Sequence, residues 1–279
     1  VRLTIDHIVS TASPLLSGLA VGILVSLFCV LIGFSIEHSL APRPPRLSAV
    51  AFNLIYSAVS STIQALLRPA MATVIGLAAA AGGGGLIALP DGEWQLAPAL
   101  AAYILAMDFG EYLFHRAQHR IPALWAMHSL HHSDPDMNVS TTARHFWAEH
   151  ALKSLTVYLA VGLIFKANPT ILGAYGLIGF YNYFAHMNVR VGFGRFSMLL
   201  NAPLYHRIHH SMRPADENLN FAALFPIFDV ICGSYRAPEP HEMPVTGLAS
   251  RETPANLLEA VFWPFRERND RRLGLPTRL

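Results

Sequence analysis

The sequence predicts an all-α protein: a multi-spanning transmembrane helical bundle of about four spans, including a helical hairpin, closed by a cytoplasmic histidine-rich helical cap. Three observations predict it. Hydrophobic residues make up 53% of the 279 positions and charged residues only 14%, against about 25% charged in an ordinary soluble domain. Long stretches with few or no charges recur along the chain. All but three of the 14 histidines fall between His115 and His210, clustered in polar segments that follow those stretches. Residues 1–279 are therefore expected to form one integral-membrane domain.

The elements follow in order. Residues 15–36, LLSGLAVGILVSLFCVLIGFSI, carry no charge and are long enough to cross a bilayer. A cleaved signal would be shorter and follow a positive segment, whereas here only Arg2 precedes and Asp6 offsets it. A retained spanning helix is expected. The APRPPRL loop then stops the helix with three prolines, and Arg43 and Arg46 place it on the cytoplasmic side. A second apolar run extends from Leu47 to about Leu67, before Arg68-Pro69. The Ala/Gly-rich piece over 70–89 contains Gly82 to Gly85, which cost helix stability, so it is expected to be broken, re-entrant or a loop at the far surface. Residues 96–114 form the next span and deliver Asp108, Glu111 and His115 at its end. If Arg116 and Arg120 share a side with Arg43 and Arg46, an even number of crossings separates the pairs, and Arg68 on the far side becomes an exception.

Residues 121–150 are polar and belong to the cap. The apolar stretch 151–186 is interrupted at Lys166-Ala167-Asn168-Pro169 and reads as a hairpin that returns His186 to the cap. From Arg190 onward the mixed polarity covers the bundle. In the tail, 259–279, Phe262, Trp263 and Phe265 beside Arg266, Arg268, Arg271 and Arg272 suit an interfacial segment on anionic headgroups. A net charge of +2 and the lack of a basic, aromatic-interleaved groove argue against a nucleic-acid partner. Cys29 and Cys232 make no disulfide framework and no C-x-x-C metal knuckle.

The segment Asp108–His132, DFGEYLFHRAQHRIPALWAMHSLHH, organises the chain. It holds H-x-x-x-H at His115 and His119, then H-x-x-H-H at His128, His131 and His132. A second H-x-x-H-H stands at His206, His209 and His210, with a lone His186 between. On a helix, i and i+4 share one face, so His115 and His119 can reach a common ion, and His128, His131 and His132 can face one site. Packed or solvated histidines would not call for this repeated pattern. So many clustered imidazoles exceed the roughly four ligands of one tetrahedral ion, so two metals in one histidine-rich nest are expected. Neutral imidazole suits zinc, copper, iron and nickel, and the spacing leaves that choice open.

These motifs resemble the fatty acid hydroxylase/sterol desaturase superfamily of integral-membrane, non-haem di-metal oxygenases. The resemblance runs over about residues 45–240, through DFGEYLFHRAQH, LWAMHSLHHSDPDMNVST, AHMN, PLYHRIHHS and NFAALFPIFDVICGSY. It implies two iron ions, with zinc as the substitute, held by His115, His119, His128, His131, His132, His186, His206, His209 and His210. It also implies a lipid substrate in the bilayer, hydroxylated or desaturated with dioxygen. Electrons are expected from a separate donor of the cytochrome b5, ferredoxin or flavin-reductase type, since the sequence shows no flavin motif or iron–sulfur cysteine set. Asp108 lies two turns before His115 and Glu111 one turn before it; each is expected to act beside the site, Asp108 through a hydrogen bond to a ligand histidine. Asn182, four residues before His186, is expected to add a contact. Phe109, Tyr112, Tyr181 and Phe184 are candidate substrate walls.

Two blocks depart from the family pattern. Where R-x-H-P-x-E is common, the chain reads RHFWAE, keeping Arg144 and Glu149 but shifting His145, which is not expected to be a ligand. Where D-x-N-Y-G is common, it reads Asn218-Leu219-Asn220-Phe221-Ala222, and Asp229 further on is expected to tie the cap to a helix end or an arginine. Two other readings were weighed. A zinc-dependent membrane hydrolase would need a carboxylate base that no H-E-x-x-H supplies. A non-enzymatic metal-binding or transport protein would spread its histidines across several spans.

Overall fold

A computed structural model describes residues 5–90, 92–239 and 241–266. Three long helices build the bundle: α1 (Ile5–Leu40), α2 (Leu47–Ala81) and, after the two-residue strand β1 (Ile87–Ala88), α3 (Glu93–Arg120). Each is long and apolar enough to cross a membrane, over Leu16–Leu40, Leu47–Ala81 and Trp94–Arg120. Their outer faces are bare hydrocarbon: Leu66 and Leu77 are 72% and 68% exposed, and Leu24 and Phe28 both 63%. In water such surface would be covered; in lipid it needs no partner.

Helix α2 does not break after Arg68. It runs through Pro69 to Ala81, and only then do Gly83, Gly84 and Gly85 turn the chain, each at positive φ. The glycines therefore end a helix instead of interrupting a membrane segment. At 35 residues α2 is about 52 Å long, more than a bilayer core requires, because its first turns lie inside the cap. There the Asn53 side-chain amide donates to Asp134 (2.9 Å), and Tyr56 packs with Trp125 and Phe146. Arg68 lines a cavity with His150 and Ser154, which sit at the start of the hairpin.

Helix α4 (Pro122–His132) follows α3 after one residue and carries the chain across the cap. The hairpin then leaves through α5 (Glu149–Lys153), a π-helical turn (Ser154–Tyr158) and α6 (Leu159–Ile164). At the far end β2 (Phe165–Lys166) pairs in parallel with β1, where Gly85 lies so close to Lys166 that a Cβ would sit 2.8 Å from its backbone nitrogen. Asn168 caps α7 (Pro169–Ile178) by accepting the Ile171 amide, and α8 (Tyr181–Ala185) brings the chain back. The outgoing arm, 149–164, is about 24 Å of helix, shorter than a bilayer core of about 30 Å, so among the described residues three helices rather than four meet the length criterion.

Helices α9 (Pro203–His209), α10 (Ile227–Cys232) and α11 (Leu257–Val261) complete the cap. Glu37, near the end of α1, locks bundle to cap by accepting the backbone amides of Val139 and Asn188. Trp263 is not interfacial. It is fully buried and its indole N–H donates to Ser129 on α4, while Phe262 and Phe265 are exposed. Arg268, Arg271 and Arg272 lie outside the described residues.

Candidate metal centre

Four elements converge on the cap side of the bundle. The last turns of α3 supply His115 and His119, α4 supplies His128, His131 and His132, the end of α8 supplies His186, and α9 supplies His206, His209 and the adjoining His210. The nine rings sort into two groups, His115, His119, His128, His132 and His209 in one, and His131, His186, His206 and His210 in the other. Within each group one nitrogen per ring lies within 4.8 Å of all the others. The Nε2 atoms of His115 and His128 are 3.0 Å apart, those of His119 and His132 3.2 Å, and those of His186 and His131 3.1 Å. All nine are thus gathered, but each histidine doublet divides. His128 and His132, at i and i+4 of α4, join the first group while His131 turns to the second. On α9 the roles exchange, His206 and His210 entering the second group and His209 the first. The two groups touch where His132 stacks on His210, with ring centroids 4.3 Å apart.

The outward nitrogens are fixed by acceptors. Carbonyl oxygens can only accept, so His115 donates through Nδ1 to Phe221 (2.7 Å), His186 to Asn182 (2.7 Å) and His209 to Leu219 (2.9 Å). His128 donates to the Glu149 carboxylate at 3.0 Å. For His115, His128 and His186 this sets the tautomer and leaves the Nε2 lone pair facing inward, the arrangement that metal-ligating imidazoles use. The segment that provides two of these carbonyls is itself clamped. Asp108 accepts the amides of Leu224 and Phe225, Asp229 accepts those of Phe221 and Ala222, and Asn201 donates to the carbonyls of Ala222 and Ala223. Asn218 and Asn220 take positive φ here (60° and 59°), a conformation that asparagine tolerates better than most residues.

Burial drives the imidazoles towards the neutral form: it lowers the pKa of His128, and carries His131, His132, His206 and His210 well below the ordinary 6.5, with neighbouring rings adding to the effect. Burial alone would raise the Glu149 carboxyl, but the adjacent His128 and His145 hold it below its ordinary range. An ionised carboxylate against a neutral donor ring results. Both ring nitrogens of His210 and Nδ1 of His131 and His206 are buried without a hydrogen-bond partner. Such atoms are costly in a protein interior unless something else satisfies them. A metal ion at each group would use inward lone pairs of neutral rings, and the residues fit that role.

The fatty acid hydroxylase family profile matches residues 100–234, the stretch that contains all nine of these histidines. That stretch, just under half of the chain, is similar to the fatty acid hydroxylase family. It is 31% identical to human alkylglycerol monooxygenase over 159 residues, 56% of this chain and 34% of that protein. It is 28% identical to an ornithine lipid hydroxylase of Rhizobium tropici over 149 residues, 53% of this chain and 45% of that protein, and 27% identical to the Caenorhabditis elegans alkylglycerol monooxygenase, covering 30% of its length. The chain therefore spans 30–45% of the length of these relatives. No solved structure matches it at a significant level.

Around these histidines the other expected residues have specific partners. Asp108 reaches no histidine and no arginine; both its oxygens are taken by the 224–225 amides. Glu111 pairs with Lys153 (3.3 Å) and accepts from Tyr175 (2.7 Å). Asn182 meets His186 through its main-chain carbonyl, while its side chain donates to Gly179. Asp229 holds the Tyr205 hydroxyl, Ser234 and two amides rather than an arginine. Of the candidate walls, Tyr112 is core, bonded to Ser234, Phe109 packs on Phe228 and is partly exposed, Phe184 packs with the cluster that includes Val30 of α1, and Tyr181 lines a cavity with Asp108 and Asn182. His145 stacks on His131 at 4.0 Å and its Nδ1 lies 3.2 Å from Glu149. Glu149 was signalled only by its place in RHFWAE, and Phe221 and Leu219 by nothing, since their contribution is a backbone carbonyl.

Proposed function

We propose that the chain is the core of a membrane-bound di-iron oxygenase that hydroxylates a lipid, with desaturation as its close variant. The observation that carries this is the meeting of nine imidazoles in two touching groups at the cap end of the spanning helices. His115, His119, His128, His132 and His209 would hold one ion, and His131, His186, His206 and His210 the other. Bound iron supplies the capacity to activate dioxygen with two external electrons. In the net reaction a C–H bond becomes C–OH, one oxygen atom enters the lipid, and the other leaves as water with two protons. A separate redox protein supplies the electrons. Names of the relatives, an alkylglycerol monooxygenase and an ornithine lipid hydroxylase, support a lipid as the molecule acted upon.

The chain's own residues do the positioning. Glu149 and the carbonyls of Phe221, Leu219 and Asn182 aim the rings, and the buried setting keeps them unprotonated. The hairpin is proposed as the fourth crossing, and the arginines around the cap (Arg43, Arg46, Arg116 and Arg120) support a cytoplasmic side for the cap. A zinc hydrolase is less well supported: the first group offers more than the roughly four ligands of a zinc site, and the carboxylate grouped with His128, that of Glu149, is engaged by His128 and His145.

The deciding experiment is metal analysis with oxygen uptake in purified protein given a reductant and membrane lipid. About two irons per chain and lipid-dependent oxygen consumption are expected, both lost in His132→Ala and His210→Ala. Zinc with turnover under argon would overturn the oxygenase in favour of hydrolysis.

A further inference from the structure

Along the whole of α2 a single charged side chain occurs, Arg68. It lies in the apolar span Leu47–Ala81 and is exposed, next to Leu66 and Leu67, which are exposed too. Among the described residues it makes no hydrogen bond and no ion pair. An exposed arginine in water is satisfied by solvent, but a guanidinium facing hydrocarbon is costly until an anion meets it. The group does not trail outward. Its Nη1 lies against α1, 4.0 Å from where a Cβ on Gly18 would stand.

Arg68 lines a cavity of about 160 Å³ between α2 and the start of the hairpin. None of the described residues lining it is acidic. The carboxylates near it in the hairpin and α3 are taken: Glu149 by His128 and His145, and Glu111 by Lys153 and Tyr175. The wall is graded along α2. Gln64 and Arg68, one turn apart on one helix face, form a polar end opposite His150, and Met71 and Ile75 continue it as hydrocarbon over the next two turns. At the polar end the Gln64 amide gives one N–H to Ser60 (3.0 Å) and keeps the other, while the Ser154 hydroxyl is spent on the His150 carbonyl (2.8 Å). The donors left to a ligand are the guanidinium, one amide N–H and a ring N–H of His150.

We propose that this cavity seats the phosphate of an anionic membrane phospholipid, met by the Arg68 fork, with the lipid's chains lying along Met71 and Ile75. Guanidinium and phosphate pair through two parallel hydrogen bonds, and basic pockets between spanning helices are suited to phospholipid heads. One unpaired cation calls for one negative charge. A phosphodiester with an uncharged head, as in phosphatidylglycerol, supplies it, whereas a choline head brings a second cation beside Arg68. This lipid is a structural ligand and not the molecule oxidised, since none of the nine histidines lines the cavity. It bridges α2 to the outgoing arm at the point where the π-helical turn begins, at Ser154. The same turn is pressed against α3, where a Cβ on Gly110 would come within 2.7 Å of Val157, so a ligand on the α2 side completes its support.

The test is equilibrium binding to the full chain in a neutral detergent, with no reductant present. The probes are dioctanoyl phosphatidylglycerol, dioctanoyl phosphatidylcholine, dioctanoylglycerol and inorganic phosphate. The wild-type protein should bind phosphatidylglycerol about tenfold tighter than dioctanoylglycerol, the margin expected of a charge-assisted pair. Phosphatidylcholine should fall between them, and inorganic phosphate at the same concentration should displace nothing. In Arg68→Met the preference over dioctanoylglycerol should shrink to about twofold or less, and Gln64→Leu and His150→Phe should reduce it measurably. If Arg68→Met does not fold, those two variants decide. Equal binding of dioctanoylglycerol, phosphatidylcholine bound as tightly as phosphatidylglycerol, or a preference unchanged in the variants overturns the proposal. Displacement by inorganic phosphate also overturns it, in favour of a free anion.

Discussion

Glu149 does for His128 what main-chain carbonyls do for His115, His186 and His209, and it is the one charged group among these acceptors. Glu149→Gln keeps the shape but removes the charge, and metal affinity should fall about 10- to 100-fold, measured by chelator competition. Acid should act on the metal-free protein in a definite direction. The folded-state pKa values of His131, His132, His206 and His210 lie well below 6.5, so on acidification the unfolded chain takes up protons that the folded chain refuses. Stability is then constant above the ordinary pKa and is lost as pH falls through it, by up to about 1.4 kcal/mol per pH unit for each ring. Thermal unfolding at pH 7.5 and 5.5 should show a large drop, and His206→Gln a shallower one. Eight of the nine histidines were legible from spacing, because helical periodicity dictates which side chains share a face; His186 stood alone and was indicated only by the family resemblance. Asp108 was placed correctly on that face, but its partner was not: a loop 116 residues away meets it, and helix spacing carries no information about that.

At the level of elements, the segment 219–225 behaves as a rail bolted to α3 and α10 by two carboxylates. Asp108→Asn would leave one of two amides without its acceptor, costing about 1–3 kcal/mol, and should loosen His115 and His209 enough to lower iron retention during dialysis. Gly33 is the corresponding pinch point between α1 and the cap, since a Cβ there would lie 2.5 Å from Val139. Gly33→Val should cost about 1–3 kcal/mol by overpacking, seen as a lower unfolding temperature. The sequence indicated the long helices and the hairpin from apolar run length. It misplaced the end of α2, because Pro69 and the alanine-rich stretch suggest a break, while a long helix packed against the hairpin tolerates one proline and stops only where three consecutive residues need positive φ. The π-helical turn left no trace in the sequence, as its cause is the contact with Gly110 rather than any local propensity.

For the molecule as a whole, the cap and the far end should face opposite compartments. With Cys29 and Cys232 replaced by serine, a membrane-impermeant thiol reagent on intact cells should label Leu86→Cys, and should label Arg43→Cys only after permeabilisation. The reverse pattern would invert the proposed orientation while leaving the metal centre untouched. The architecture was legible in outline because membrane burial imposes simple rules on composition; the depth of the cap was not, since α2 enters it without any change in apolar character. A last consequence concerns the divided doublets. Neighbouring α-carbons are held about 3.8 Å apart by covalent bonds, so His131 with His132, and His209 with His210, yoke the two nests at a spacing the peptide chain itself enforces. Breathing of the bundle can dilate both nests in unison, but it has little leverage to draw one away from the other.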